Sequence, residues 1–402
     1  MKIGLIATGI WGSIHLEMAR ELQARGNVIR IYTEDNRAPS GRHFSRFAEE
    51  GIEFWVIHAF RRNPWTWLPD RLFKFWLGRR FFTSLLAIGR FIRANRDCDV
   101  FVVESDWLGF FVALATLGLR DVRWVVGIHD TDYLDAPIRY PGRPQSRWRT
   151  AVQRWSLHRA AAVRANSIFT RDALIAGGCP ADRITVVPLH VPQRMQPPEA
   201  RPLGEFRAAA RREWRERCGV PAPALMLATM CRLTPVKRLE LAVDTLVELR
   251  RRGVDAWLVL FGGDRRLPRI GSYAARLALR ATGGGAGDRL VVAGEVAPDR
   301  VSGALAAADL HLAPSWADTF NFAVIEAALV GTPSLVSPNV GATPWLGAAA
   351  QVVASDDAVT WADAVSAAPT FGEDERQRIA QELSAGGIAA RLEALYAGRS
   401  GA

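Results

Sequence analysis

Short apolar runs alternate with stretches of helical period along this chain, and the alternation happens twice. Lys2 to Thr8 is an apolar run ending at Gly9. A helix-period stretch from about Ser13 to Arg25 and a second β-rich run, Val28 to Thr33, follow it and make a βαβ opening. Phe54–Ile57, Val100–Val103, Trp124–Ile128 and Ile184–Val187 continue the series between helical segments. Strands that are apolar throughout must be covered on both faces, which is the condition of a parallel sheet wrapped by helices. Between Pro188 and Pro202 the sequence turns to proline and polar residues, PLHVPQRMQPPEARP, as a linker does. The alternation then restarts with Leu225–Met230, a helix over Leu239–Arg252, Ala256–Phe261, a helix around Tyr273–Arg280 and Leu290–Ala293. It continues with a helix near Val301–Ala307, Leu310–Ala313, a helix over Phe322–Val330 and Ser334–Val336. Asp374 to Tyr396 reads as one long terminal helical pattern. The expectation is an α/β protein of two Rossmann-like domains, 1–190 and 203–385. Residues 386–402 form a C-terminal helix and tail crossing back to the first domain.

Length agrees, because 402 residues exceed what one hydrophobic core usually serves. With 49% apolar and 23% charged residues the chain is globular in composition. Cys98, Cys179, Cys218 and Cys231 are scattered without a C-x-x-C pair, so neither a disulfide framework nor a zinc site is expected. The opening MKIGLIATGI reads as a strand, and the longest clean apolar run, Trp107 to Leu119, falls short of the roughly 20 residues that cross a bilayer. A cytoplasmic protein is expected. The formal charge of +10 favours anionic partners, and no nucleic-acid module accompanies it, so nucleic acid is not expected to be one. Residues 54–96 are dense in aromatics and arginine. Two readings stand: a peripheral surface lying on an anionic inner membrane face, or aromatics filling the first core under solvated arginines.

The candidate chemistry sits in the turns after predicted strands. Gly9 and Gly12, in ATGIWGS, let backbone amides and a helix N-terminus approach a phosphate or sugar. Arg232 and Lys237, in MCRLTPVKR, are two cations at the mouth of a parallel sheet and suit a diphosphate. Lys237 is one of three lysines among 51 basic residues. In PSWADTFNFAVIEAALVGTPSLVS, residues 314–337, Asp318 lies in a loop within reach of a sugar and Glu326 on the following helix suits ribose hydroxyls. Phe320, Asn321 and Phe322 present amides at that helix N-terminus for a distal phosphate. The alternative is that Asp318 caps the helix and Glu326 is a surface residue. His129, ending a strand beside Asp130 and Asp132, is the one histidine given a role. His15, His43, His58, His158, His190 and His311 have no metal-ligand spacing.

The Gly9/Gly12 loop, His129 in VVGIHD, NSIFTRDALI from Asn166 and the Arg232/Lys237 pair form an ordered series. It continues with Gly262-Gly263, AGEV at 293–296 and the carboxylate pair ending in EAALVGTPSLVS. The series resembles the retaining glycosyltransferases of GT-B fold, group 1 or GT4, over nearly the whole chain. The resemblance implies two Rossmann-like domains facing each other across a cleft and transfer of a sugar from a nucleotide diphosphate to an acceptor hydroxyl. A lipid-linked glycan of cell-envelope or polysaccharide synthesis suits the acceptor. Arg232 and Lys237 would hold the diphosphate, Glu326 the ribose, Val296 and its neighbours would line the base site, and Gly263 would belong to the donor site. Gly12 and His129 would meet the sugar and acceptor. The donor phosphate assists deprotonation in that class, so no protein nucleophile, metal or further cofactor is implied.

The chain departs from the family pattern at Asp318, where glutamate is usual, at Asn321 and Cys231, where glycine is usual, and at PLHVP, where PNGVD is usual. Two other readings stay open. An incomplete G-x-G-x-x-G with Glu34 and Asp35 closing the second strand would suit an NAD(P)-dependent dehydrogenase. A GT-B-fold binding protein without transferase activity would explain the departures.

Overall fold

The computed structural model describes residues 1–7, 12–35, 51–58, 64–73, 80–129, 147–196, 201–264, 266–267 and 271–399. The chain divides into two compact units: the first holds the described residues up to His190 together with the stretch from Ala385, the second Val191–Ser384.

The first unit runs β1 (Lys2–Ala7), α1 (Gly12–Ala24), β2 (Val28–Asp35), β3 (Glu53–His58), α2 (Pro64–Leu72), α3 (Phe81–Ala94) and β4 (Val100–Val103). It continues α4 (Asp106–Ala115), β5 (Trp124–Ile128), α5 (Arg147–Leu157), β6 (Ala162–Ala165), α6 (Ile168–Ala176) and β7 (Ile184–Val186). The sheet order is β3-β2-β1-β4-β5-β6-β7, parallel throughout. Alternation along β4 divides the core: Phe101 and Val103 face Ile88, Phe91 and Phe111, while Val100 and Val102 face Ile3, Leu22 and Ile29. Ser105 and Ser167 open α4 and α6 as caps, accepting hydrogen bonds from the amides of Leu108 (3.3 Å) and Thr170 (3.0 Å).

The second unit runs α7 (Leu203–Cys218), β8 (Leu225–Met230), α8 (Leu239–Arg251), β9 (Ala256–Phe261), a small hairpin of β10 (Arg266–Leu267) and β11 (Gly271–Ser272), and α9 (Tyr273–Gly283). After these come β12 (Leu290–Gly294), α10 (Val301–Ala307), β13 (Leu310–Ala313), α11 (Phe322–Leu329), β14 (Ser334–Val336), β15 (Ala350–Val352), α12 (Ala358–Ser366) and α13 (Glu373–Glu382). Its parallel sheet has the order β12-β9-β8-β13-β14-β15. In each sheet the order reverses once, between β1 and β4 and between β8 and β13. Ligands of open α/β sheets gather at such reversals, outside the carboxyl ends of the strands.

The structure departs from the sequence pattern in several places. β6, β15 and the β10–β11 hairpin are strands, and α7 and α12 helices, that the pattern did not show. The long terminal pattern is two helices, broken at Leu383–Ser384, and the second, α14 (Ala385–Tyr396), belongs to the first unit. There its Ile388, Leu392 and Tyr396 share a core with Ile3, Leu22 and Ile29, and Glu393 takes hydrogen bonds from Arg25 and Asn27. Among the described residues, no helix is long and apolar enough to cross a membrane.

Candidate active site

In the second unit the two loops flanking the reversal are laced together. The loop after β8 carries Arg232, and a short 3₁₀ turn, Pro235–Lys237, leads to Arg238 at the start of α8. Arg238 is left-handed (φ 51°) and buried. Its Nε donates to the Pro314 carbonyl (2.8 Å), its guanidinium pairs with Asp356, and it lies 4.4 Å from the centre of the Trp316 ring. The Trp316 amide donates to Val236 (2.9 Å). Beyond Trp316, the Asp318 amide donates to the Asn339 carbonyl (3.0 Å) and the Gly341 amide donates to the Asp318 carbonyl (2.8 Å). With backbone and neighbours fixed, the Asp318 carboxylate accepts a hydrogen bond from the Lys237 ammonium, and both side chains are largely buried. Arg232 stands exposed nearby in sequence. Beside it, burial pushes the Cys231 thiol up to about 12, which keeps it neutral.

The neighbouring strand ends belong to the same edge. The Leu233 amide donates to the Gly263 carbonyl (3.0 Å) and the Gly262 amide to the Gly294 carbonyl (2.7 Å). Gly262 has φ 138°, and a Cβ there would lie 1.7 Å from the Cys231 carbonyl oxygen, so only glycine fits. A Cβ on Gly263 would come within 2.3 Å of a Glu295 oxygen. Val296, half-buried, packs on the core that holds Trp214 and Phe261. Arg232, Lys237, Gly263, Val296 and Asp318 therefore share the carboxyl edge of one sheet. Phe320 differs from the others, because its ring is buried against Phe322 (5.2 Å) and Trp345 (5.7 Å). It offers a ligand its backbone and not its side chain. Glu326 is buried in α11 and is not the surface residue that the alternative reading allowed.

In the first unit Gly9, Asp130 and Asp132 lie outside the described residues, and Gly12 opens α1. His129 follows β5. Its Nε2 lies 2.5 Å from a carboxylate oxygen of Glu104, which follows the neighbouring β4. A Cβ on Gly127 would stand 2.7 Å from that same oxygen, so the glycine leaves room for the carboxylate. Arg164 of β6 is buried 3.7 Å from the other Glu104 oxygen and donates to the carbonyls of Val187 (3.1 Å) and Pro188 (2.9 Å). Asn166 donates weakly to the His129 carbonyl (3.4 Å) and accepts from the Thr170 hydroxyl (2.6 Å). Burial alone would raise the Glu104 carboxyl. The hydrogen bond and charge of His129, with the charge of Arg164, outweigh burial and hold it well below the usual carboxylate range.

His15 and His190 line a cavity of about 60 Å³ together with Glu104, His129 and Arg164. Burial lowers His15 to about 4, Glu104 opposing and His129 and Arg164 assisting. His190 lies 3.5 Å from Glu17. No motif marks Glu104; its one sequence signal is a carboxylate directly after the apolar run Val100–Val103, and the pairing of β4 with β5 brings it to His129.

Two family models match the chain: Glycosyl transferase 4-like domain over residues 9–190 and Glycosyl transferases group 1 over residues 224–368. The chain belongs to the group 1, GT4-type glycosyltransferases. Its fold is that of solved GT-B structures. Anabaena Alr3699/HepE in complex with UDP aligns with TM-score 0.72 at 17% identity, covering 99% of this chain and 100% of that one. Sucrose-phosphate synthase from Thermosynechococcus elongatus aligns with TM-score 0.72 at 18% identity, covering 99% and 98%. Among curated relatives, the GDP-mannose-dependent alpha-(1-6)-phosphatidylinositol dimannoside mannosyltransferase of Mycobacterium tuberculosis is 33% identical over 166 residues, 40% of this chain and 39% of its own length. The 2-deoxystreptamine glucosyltransferase of Streptomyces kanamyceticus is 29% identical over 186 residues, 46% and 44%. The matched stretches thus span less than half the length of these relatives.

One departure of this glycosyltransferase from its family has a physical reading. Asn321, where glycine is usual, has φ 67°, a conformation that glycine adopts freely and that asparagine tolerates best among the other residues. The backbone entering α11 thus keeps the turn that glycine would give. Its side chain makes no capping hydrogen bond to the first turn.

Proposed function

We propose that this protein is a retaining glycosyltransferase that moves a sugar from a nucleoside diphosphate to a hydroxyl of a lipid-linked glycan. The observation that carries the reading is the Lys237–Asp318 pair, held at the sheet reversal of the second unit beside the N-terminus of α11. When the donor breaks, negative charge grows on the departing diphosphate. Lys237, Arg232 and the amides of Phe322 and its successors are the groups of this chain suited to stabilise it. Asp318 keeps the Lys237 ammonium in place and presents a carboxylate toward sugar hydroxyls. Glu326 serves the ribose, and Gly263 and Val296 the base. His129, oriented by Glu104, meets the transferred sugar or acceptor. The cations come from the protein, so the proposed reaction requires no divalent metal. The mycobacterial relative makes GDP-mannose the first donor to try and a glycolipid the first acceptor.

The left-handed turn at Asn321 supports a retained donor site in an active enzyme and in a binding protein alike, and hydrolysis of the bound donor separates the two. The test is a thermal-shift screen against UDP, GDP, ADP and their sugar conjugates, repeated with Lys237→Ala. A rise in melting temperature for one nucleotide that vanishes in the variant supports the reading. A rise with NAD(P) alone would replace it with a dehydrogenase.

A further inference from the structure

The aromatic and arginine-rich stretch over residues 54–96 contains two different things. α3 is core: Phe81, Ile88, Phe91 and Ile92 are buried. α2 is built the other way round. Its polar residues face the protein, where Thr66 and Asp70 are buried. Asp70 accepts hydrogen bonds from the amides of Phe82 (2.7 Å) and Thr83 (3.3 Å) and from the Thr83 hydroxyl (2.6 Å), and Thr66 bonds the same hydroxyl (2.7 Å). α2 thus caps α3 with a carboxylate. Its apolar residues face outward: Trp65 is 85% exposed, Leu68 52%, Leu72 65% and Phe73, just past the helix, 47%.

We infer that the outer face of α2 docks this enzyme on an anionic lipid surface. A surface helix ordinarily turns its apolar stripe to the core, and the reversal here presents indole and leucine side chains to the outside. Charge selects lipid over a second apolar protein. Among the described residues of α2 and its approach to α3, the basic residues are Arg71 and Arg80, and the single acid, Asp70, is already engaged in capping. Arg71 lies over the Trp67 ring at 5.3 Å, so a cation and an aromatic edge are presented together, the pairing suited to a headgroup layer. The choice of a lipid partner rests on the reading of a lipid-linked acceptor; the direction in which the helix faces does not.

The experiment is flotation of the full chain with vesicles of phosphatidylcholine alone and of phosphatidylcholine with phosphatidylglycerol, for the wild type, Leu68→Asp/Leu72→Asp and Trp65→Phe. The expected result is flotation with the anionic vesicles, weakened by salt and by neutral lipid, about tenfold or more weaker in the double variant, and kept by Trp65→Phe. Release of nucleoside diphosphate from GDP-mannose without vesicles should be equal in all three, which shows that the variants fold. Wild-type protein that ignores anionic vesicles overturns the proposal. So does a concentration-dependent dimer that the double variant abolishes while flotation persists, because the face would then bind a second copy. No acceptor is present in the flotation, so the lipid-linked acceptor can fail while the docking stands.

Discussion

The ammonium of Lys237 and the carboxylate of Asp318, 81 residues apart in sequence, form an ion pair at the reversal point of the second sheet. Each therefore depends on the other before any ligand arrives. Lys237→Ala should lower kcat/KM by about 10²–10³-fold, the usual cost of removing one positioned charge-stabilising group. It should also cost about 1–3 kcal/mol of stability, because it strands a largely buried carboxylate. Adding Asp318→Asn should return most of the stability and none of the turnover. Urea unfolding and initial rates on the single and double variants check both halves.

Asn321 supplies a second test. Asn321→Gly should leave nucleotide binding and melting temperature within error of the wild type, since glycine takes the same φ of 67° without cost. Asn321→Val should lose about 1–2 kcal/mol and weaken nucleotide binding, because a β-branched residue in this region is strained. Equal behaviour of the two variants would mean that the turn is unimportant.

Glu104 and His129 act as a unit in the first unit of the chain. Glu104→Gln keeps the shape and removes the charge. It should slow transfer about 10–100-fold while leaving the affinity for the free nucleotide unchanged, because the groups proposed to hold the nucleotide belong to the second unit. Isothermal titration with the nucleotide, set beside transfer rates, separates these effects.

Acid should unfold the protein early. His15 and His311 are both lowered from 6.5 to about 4, burial being the leading cause for each. Between those values the unfolded chain takes up protons that the folded chain refuses. Stability is therefore fully present above pH 6.5 and falls toward pH 4, by about 1.4 kcal/mol per pH unit for each histidine. Glu104, held low when folded, adds a further loss as pH drops below the ordinary carboxylate range. Urea midpoints from pH 7 to 4.5 should decline on this course, and His311→Gln should make the decline shallower.

The strands Val100–Val103, Trp124–Ile128 and Ala256–Phe261 were legible because a strand covered on both faces must be apolar throughout. β6 was not. Its AVRA carries a charge, and what makes Arg164 tolerable there is a pair of carbonyls, Val187 and Pro188, that belong to another part of the chain. The same holds for the Glu104–His129 pair, which the parallel pairing of β4 and β5 creates from residues 25 apart. Local pattern singles out Lys237, Asp318 and Glu326. It could not say that the first two bind each other or that the third is buried. Helical period across 374–396 was real, but period does not say which core a helix serves, so the break at Leu383–Ser384 was invisible.

That break matters for how the protein comes to be made. The first unit lacks a piece of its own core until α14 exists, and α14 follows the whole second unit in chain order. Ile3, Leu22 and Ile29 wait for Ile388 and Leu392 while the whole second unit is being produced. The unit that is begun before the second one is therefore completed only after it.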